Sequence, residues 1–169
     1  MTRFPKTRRR GGGLWSLILA LVLAVGSAYW LKPNERAASG QAAIVDGDTI
    51  RLSGRAIRLK GIDTPELKQS CTLDNRPYRC GETARTALVG LIANRSVECR
   101  VTGRDRYGRG LGTCFVGGRN INAWLVSEGW AVSYGGEYRL EETGARLRGA
   151  GLWAGTFQRP QDWRREHTR

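Results

Sequence analysis

Thr49-Ile50-Arg51-Leu52-Ser53-Gly54-Arg55-Ala56-Ile57-Arg58-Leu59-Lys60 alternates apolar and polar residues on either side of a Ser-Gly step. A period of two belongs to a strand with one buried face, and Ser-Gly suits a tight reversal. The stretch therefore predicts a β-hairpin with Ile50, Leu52, Ile57 and Leu59 turned toward a core. Ala43-Ile44-Val45 leads into it through the sharp Asp46-Gly47-Asp48 turn.

Working outward, residues 96–101 and 111–116 repeat the strand signature around a turn-rich stretch. Residues 81–93 show helical spacing, with Ala84, Leu88, Leu91 and Ile92 on one face and Asn94 as the stop. Residues 121–128, closed by Gly129, predict a second helix. Residues 137–148 predict a third, weakened by Gly144. The expected class is α+β: a five-stranded Greek-key barrel of the oligonucleotide-binding type with about three flanking helices.

The N-terminus carries a different signal. Arg3, Lys6, Arg8, Arg9 and Arg10 precede three glycines, and residues 14–31 then run without a charge. At 1.5 Å per residue such a run spans about 27 Å, enough for a thin bilayer. Trp15 and Tyr29-Trp30 stand at its ends, where amphipathic rings favour the interface, and the basic cluster favours the cytoplasmic side. A single-pass anchor in the inner or plasma membrane is expected, with the rest of the chain on the periplasmic or extracellular side. The alternative is a signal peptide cleaved at the small residues Gly26-Ser27-Ala28, giving a secreted protein. The expected organisation is a basic leader 1–13, a membrane or signal helix 14–31, a linker 32–40, a folded domain 41–154 and a basic tail 155–169.

The chain has 28 Lys and Arg against 15 Asp and Glu, a net charge of +13. From residue 41 onward the count is 21 against 14, so the domain is basic without its leader. Such a surface suits a polyanion, nucleic acid or anionic lipid. The four cysteines, Cys71, Cys80, Cys99 and Cys114, all follow the apolar run. In an oxidising compartment they read as two disulfides with three possible connectivities. Cys71–Cys80 with Cys99–Cys114 is the most economical pairing, because each closes a local loop.

Three blocks carry chemistry. They are Asp46-Gly47-Asp48-Thr49, then Arg58 followed by Asp63-Thr64-Pro65-Glu66, then Asp105-Arg106-Tyr107-Gly108-Arg109-Gly110. Carboxylates alone suit a hard metal and arginines alone suit a phosphate. Both together are what metal-assisted phosphodiester cleavage requires. The single histidine, His167, is the third residue from the end, which argues against zinc hydrolases and histidine-dependent nucleases.

In this order the blocks resemble the thermonuclease family, the staphylococcal or micrococcal nuclease-like proteins. The resemblance covers residues 43–153. It implies Ca²⁺-dependent cleavage of DNA and RNA to products ending in 3′-phosphates. It also implies that Asp48 and Asp63 hold Ca²⁺ through carboxylates and Thr64 through its main-chain carbonyl, with Asp46 outside that shell. Glu66 matches the general base, Arg58 and Arg109 the pair that grips the scissile phosphate, and Tyr107 a substrate-contacting tyrosine. The stacking tyrosine does not align cleanly, and Tyr134 and Tyr138 are both candidates. The competing reading is a nucleic-acid-binding barrel that has lost catalysis, although such a module is expected to lack Arg58, Glu66 or Arg109. The chain is expected to be a monomer with DNA or RNA as substrate, the membrane as a partner of its N-terminal helix, and no protein partner. The tail 155–169 has no role in this reading.

Overall fold

The computed structural model describes residues 13–30 and 35–167, with side chains in the first segment described over residues 15–24. Two units are distinguished, Met1–Asn34 and Glu35–Arg169. The first contains helix α1 (Gly13–Trp30), and its residues 15–24 are exposed. Among the described residues no helix is long and apolar enough to cross a membrane. Part of the expected span lies outside that description: the side chains of residue 14 and residues 25–30 and the whole of residue 31. So do the leader residues 1–12.

The second unit opens with β1 (Arg36–Gly40), β2 (Ala42–Ile44), β3 (Thr49–Leu52), β4 (Arg55–Leu59) and the short β5 (Ile62–Asp63). The hairpin forms where the alternation placed it, with Ile50 paired to Ile57 and Thr49 to Arg58. Ser53 and Gly54 both take positive φ, at 47° and 79°, as a two-residue hairpin turn with matching twist requires. Ile50, Leu52, Ile57 and Leu59 are all buried. Each such aliphatic side chain contributes about 1.5–3 kcal/mol of transfer free energy on burial.

A small hairpin, β6 (Cys71–Leu73) and β7 (Arg76–Tyr78), precedes helix α2 (Cys80–Ile92). Strands β8 (Val97–Arg104) and β9 (Gly110–Val116) follow. Then come β10 (Arg119–Asn120), α3 (Ile121–Ser127), β11 (Val132–Ser133), α4 (Arg139–Arg148), a 3₁₀ turn at Gly151–Ala154 and α5 (Pro160–His167).

The main sheet runs β1-β8-β9-β4-β3-β2, with β10 on β9. β4 and β9 pair in parallel, Arg58 opposite Leu111, and the other pairs are antiparallel. β1 and β2 lie at opposite ends of that order, yet a single residue, Gln41, joins them. Consecutive Cα atoms are 3.8 Å apart, so the sheet must curl until its two ends meet. Taken as one strand bent at Gln41, β1 and β2 turn the order into a ring of five. The result is a curled α+β sheet of the oligonucleotide-binding kind, flanked by helices.

Three expectations change. Residues 36–40, expected to be linker, form β1: their small side chains are compatible with an edge strand, and every residue pairs with β8. The tail, expected as a basic end without a role, carries α5 and an isolated bridge between Thr72 and Thr156 over its described residues 155–167. The helices flanking the sheet are therefore four α-helices and a 3₁₀ turn among the described residues, rather than about three.

Both disulfides join the pairs named from the sequence, Cys71–Cys80 and Cys99–Cys114. Cys99 and Cys114 face each other directly in the β8–β9 register. Cys71 and Cys80 form a second small core with Leu152, against which Tyr78 and Phe157 pack.

Candidate active site

Two acidic loops are pressed together by a glycine. A Cβ at Gly47 would lie 2.7 Å from Thr64 Oγ1, so the Asp46-Gly47-Asp48 turn can back onto Asp63-Thr64 only without a side chain there. Asp46 shapes that turn, its Oδ1 accepting the Asp48 N–H at 3.0 Å. Asp48 and Asp63 are then almost wholly buried, at 3% and 2% exposure.

Arg58, rising from β4, lies between them. Its Nη1 donates to Asp48 Oδ1 at 2.9 Å, and its Nη2 reaches Asp48 Oδ2 and Asp63 Oδ1 at 2.8 Å. Removal from water pushes the Asp48 carboxyl up to about 7; Arg58 and Thr49 oppose that rise, and the nearby Asp46 and Asp63 add to it. Two acids this close and this buried need compensating positive charge, and Arg58 supplies it to both.

Arg109 enters from the turn immediately before β9, a strand that the parallel pairing sets beside β4. Asp105 fixes it: Arg109 Nε donates to Asp105 Oδ2 at 2.7 Å, and the N–H groups of Tyr107 and Arg109 donate to Oδ1 at 2.9 and 3.0 Å. Burial alone would raise the Asp105 carboxyl, but these hydrogen bonds and the Arg109 charge outweigh it and hold it below its ordinary value. Thr49 ties this arginine to the acids, accepting from Arg109 Nη1 at 3.3 Å and donating to Asp48 Oδ1 at 3.0 Å.

Glu66 follows on the loop after β5. A Cβ at Gly81 would stand 1.9 Å from the Glu66 carbonyl oxygen, so the first turn of α2 abuts the loop backbone directly. The Glu66 N–H donates to Gln69 Oε1 at 3.2 Å, and its carbonyl accepts from the Gln69 N–H at 2.7 Å. The Glu66 carboxylate is half-exposed and accepts from Arg164 Nη1 at 2.8 Å. The same guanidinium also grips Asp63, at 3.0 Å to Oδ1 and 2.8 Å to Oδ2. One continuous chain of side chains results: Asp105, Arg109, Thr49, Asp48, Arg58, Asp63, Arg164, Glu66.

This arrangement belongs to a known kind of domain. Residues 56–155 match the family model described as staphylococcal nuclease homologue. The chain belongs to that family.

Among curated relatives it is 43% identical over 122 residues to the succinoglycan biosynthesis protein ExoI of Rhizobium meliloti, covering 68% of this chain and 63% of that one. It is 34% identical over 182 aligned positions to protein ParB of Escherichia coli, covering 94% and 95%. It is 37% identical over 116 residues to the probable staphylococcal-like nuclease CAN2 of Oryza sativa, covering 65% of this chain and 29% of that one. The chain thus spans under two thirds of the Rhizobium and rice relatives and nearly all of the E. coli one. The hydrogen-bonded network joins members of all three sequence blocks; Asp46–Thr49 precede the matched residues, and α5 with Arg164 follows them.

The tyrosines separate. Tyr138 is buried at 8% exposure and belongs to the main core, so it is not a stacking surface. Burial raises its hydroxyl as well. Tyr134 is 56% exposed, and its N–H donates to the Gly61 carbonyl at 2.9 Å just ahead of β5. Tyr107 is exposed too, with the Arg106 and Arg109 guanidinium carbons 4.8 and 5.5 Å from its ring centre.

The metal question turns on donor chemistry. Among the described residues no three His, Cys, Asp or Glu side chains form a metal-holding group. The donors at hand are the two buried carboxylates, hard oxygens of the kind Ca²⁺ takes, and all four of those oxygens here accept from Arg58 or Arg164, which an ion would have to displace. By donor type the residues fit Ca²⁺.

Sequence reasoning assigned no role to Thr49, Asp105, Gln69 or Arg164. The first two lay inside the quoted blocks, and Asp105 stands four residues before the arginine it fixes. Gln69 and Arg164 had no local signal: Arg164 meets Asp63 across 101 residues of chain.

Proposed function

We propose that the domain hydrolyses phosphodiester bonds of DNA and RNA with the help of Ca²⁺, leaving 3′-phosphate ends. The observation that carries this reading is the Asp48–Arg58–Asp63 arrangement, flanked by Glu66 and Arg109 on one network. Asp48, Asp63 and the Thr64 carbonyl would hold the ion, with Asp46 keeping the turn behind them. Bound calcium supplies positive charge toward the phosphoryl oxygen.

The protein groups divide the remaining work. Glu66 takes the proton of the attacking water, which adds to phosphorus as the bond to the 5′-oxygen breaks and that oxygen takes a proton from solvent. Arg58 and Arg109 offer planar, fixed N–H forks to the phosphate oxygens, where charge accumulates in the transition state. Asp105 and Thr49 keep Arg109 aimed before substrate arrives. Tyr107 and Tyr134 present exposed rings to a nucleotide.

The N-terminal segment fits an exported, membrane-tethered form of this enzyme: its basic leader and uncharged run read as a single-pass anchor, and the domain beyond carries two disulfides. The deciding experiment is cleavage of single- and double-stranded DNA and of RNA by the purified protein with Ca²⁺, then with excess EGTA. Cleavage that stops on chelation and yields 3′-phosphate ends supports the proposal. Retained oligonucleotide binding with no cleavage under any divalent ion would leave a binding barrel instead.

A further inference from the structure

The C-terminal segment is attached to the site residue by residue. Thr156 and Thr72 exchange two main-chain hydrogen bonds of 2.9 Å. Phe157 packs on the Cys71–Cys80 core. The Gln158 carbonyl accepts from Gln69 Nε2 at 2.7 Å, and Gln69 is completely buried. Arg159 reaches Glu142 at 3.2 Å, and Pro160, itself buried, opens α5. Pro suits a first helical position, where its missing N–H costs nothing. One turn further on, α5 delivers Arg164 onto Asp63 and Glu66.

Gln69 is the informative residue here. One buried side chain accepts from the Glu66 N–H and donates to the segment that carries Arg164. The loop holding Glu66 and the arm holding Arg164 are therefore built against each other twice, through backbone at Gln69 and through side chains at Arg164. A glutamate on a loop ordinarily keeps substantial rotamer freedom, and ordering it costs free energy. Arg164 has the fork geometry to impose that order, because its pairing with both Asp63 oxygens fixes the plane of the guanidinium. The remaining edge of Nη1 then fixes Glu66 relative to Asp63.

We propose that Arg164 is a positioning residue for the nuclease reaction, holding Glu66 at a set distance from Asp63, and that residues 155–167 docked on the disulfide-bonded 68–80 loop form a working part of the active site. The role rests on the function proposed above. Its consequence is a rate effect: an error of about 1 Å in a reacting group costs up to roughly 100-fold.

The test compares wild type, Arg164→Gln, Arg164→Gly and Arg165→Gln in the full chain. Arg165 is the neighbouring exposed arginine, paired within α5 to Asp162. Single-turnover cleavage with Ca²⁺ should fall about 10- to 100-fold in Arg164→Gln, while affinity for a non-cleavable phosphorothioate oligonucleotide at fixed salt changes less than about threefold. Guanidinium ion, but not sodium ion at equal ionic strength, should restore part of the rate to Arg164→Gly. Amide exchange measured without metal or substrate should quicken across residues 63–69 in both Arg164 variants and stay unchanged in the β3–β4 hairpin. Arg165→Gln should match wild type throughout.

Arg164→Gln cleaving at the wild-type rate or faster overturns the inference, as does a loss of oligonucleotide affinity equal to the loss of rate. Unchanged exchange across residues 63–69 overturns it independently of any activity. If wild type itself fails to cleave, the proposed function falls, and the exchange measurement still decides whether Arg164 orders the Glu66 loop.

Discussion

Gly47 lies so close to Thr64 that a β-carbon on it would stand 2.7 Å from Thr64 Oγ1 and 2.9 Å from Thr64 Cβ. The contact fixes how near Asp48 comes to Asp63, because each acid is a direct neighbour of one of the touching residues. Gly47→Val should therefore separate the acidic loops, cost about 1–3 kcal/mol as an overpacked site does, and reduce Ca²⁺ binding. Gly90→Ala is the control of opposite sign. It sits on α2 with nothing within 4 Å of its would-be Cβ, and should stabilise by about 0.5–1 kcal/mol. Urea unfolding and calcium titration calorimetry measure both effects; a Gly47→Val protein as stable and as calcium-avid as wild type would contradict the packing argument.

Asp105 sets a pH dependence. Its carboxyl is held below the ordinary 3.8 by the bonds from Arg109 and the loop backbone, which outweigh the effect of burial. A depressed acid contributes stability that is present above its unfolded value and lost as pH falls through its folded one. The loop holding Arg109 should thus stay ordered at pH 4 and loosen below 3.8. Carbon NMR of the Asp105 carboxyl should titrate below 3.8. Asp105→Asn should remove that part of the acid dependence of stability and lower cleavage by leaving Arg109 unaimed. A carboxyl titrating at or above its ordinary value would refute the assignment.

The two disulfides should fail differently. Cys99–Cys114 closes 15 residues inside the curled sheet, and its removal should cost roughly 3 kcal/mol in the chain-entropy account. Cys71–Cys80 closes nine, for about 2.5 kcal/mol, but it also carries the surface on which the C-terminal segment rests. Paired Cys→Ala variants should therefore share a global loss, while faster amide exchange across residues 155–167 should appear in the Cys71/Cys80 variant alone. Equal exchange in both would show that the segment does not depend on that loop.

The hairpin was legible because alternation of period two has one reading in a half-buried sheet, and the Ser53-Gly54 turn agreed with it. Cys99 and Cys114 were legible as a pair because they lie in two strand-like runs around one turn-rich stretch and close a local loop. Asp48, Arg58, Asp63, Glu66 and Arg109 stood out because three blocks of acids and arginines occur together in an order that resembles the thermonuclease family. Residues 36–40 were opaque: Arg-Ala-Ala-Ser-Gly has too little hydrophobic contrast for a period to show, and pairing with β8 decides its structure. Tyr138 was ambiguous because a tyrosine serves a core and a surface equally well. Arg164 was beyond reach, since its partners lie 98 and 101 residues earlier and nothing in Trp163-Arg164-Arg165 distinguishes an anchored helix from a solvated end.

The central claim is that Glu66 acts on water and Arg109 on phosphate within one site, and single-turnover cleavage beside oligonucleotide binding tests it most directly. Glu66→Gln keeps the size and hydrogen bonding of the side chain but removes the base, so its rate should fall about 100-fold or more with binding largely kept. Arg109→Lys keeps the charge but loses the fork that meets Asp105 and Thr49, and should be severe as well. Arg104→Lys, exposed at the end of β8 beside that loop, should be silent. Wild-type cleavage by both Glu66→Gln and Arg109→Lys would contradict the account and place the chemistry elsewhere.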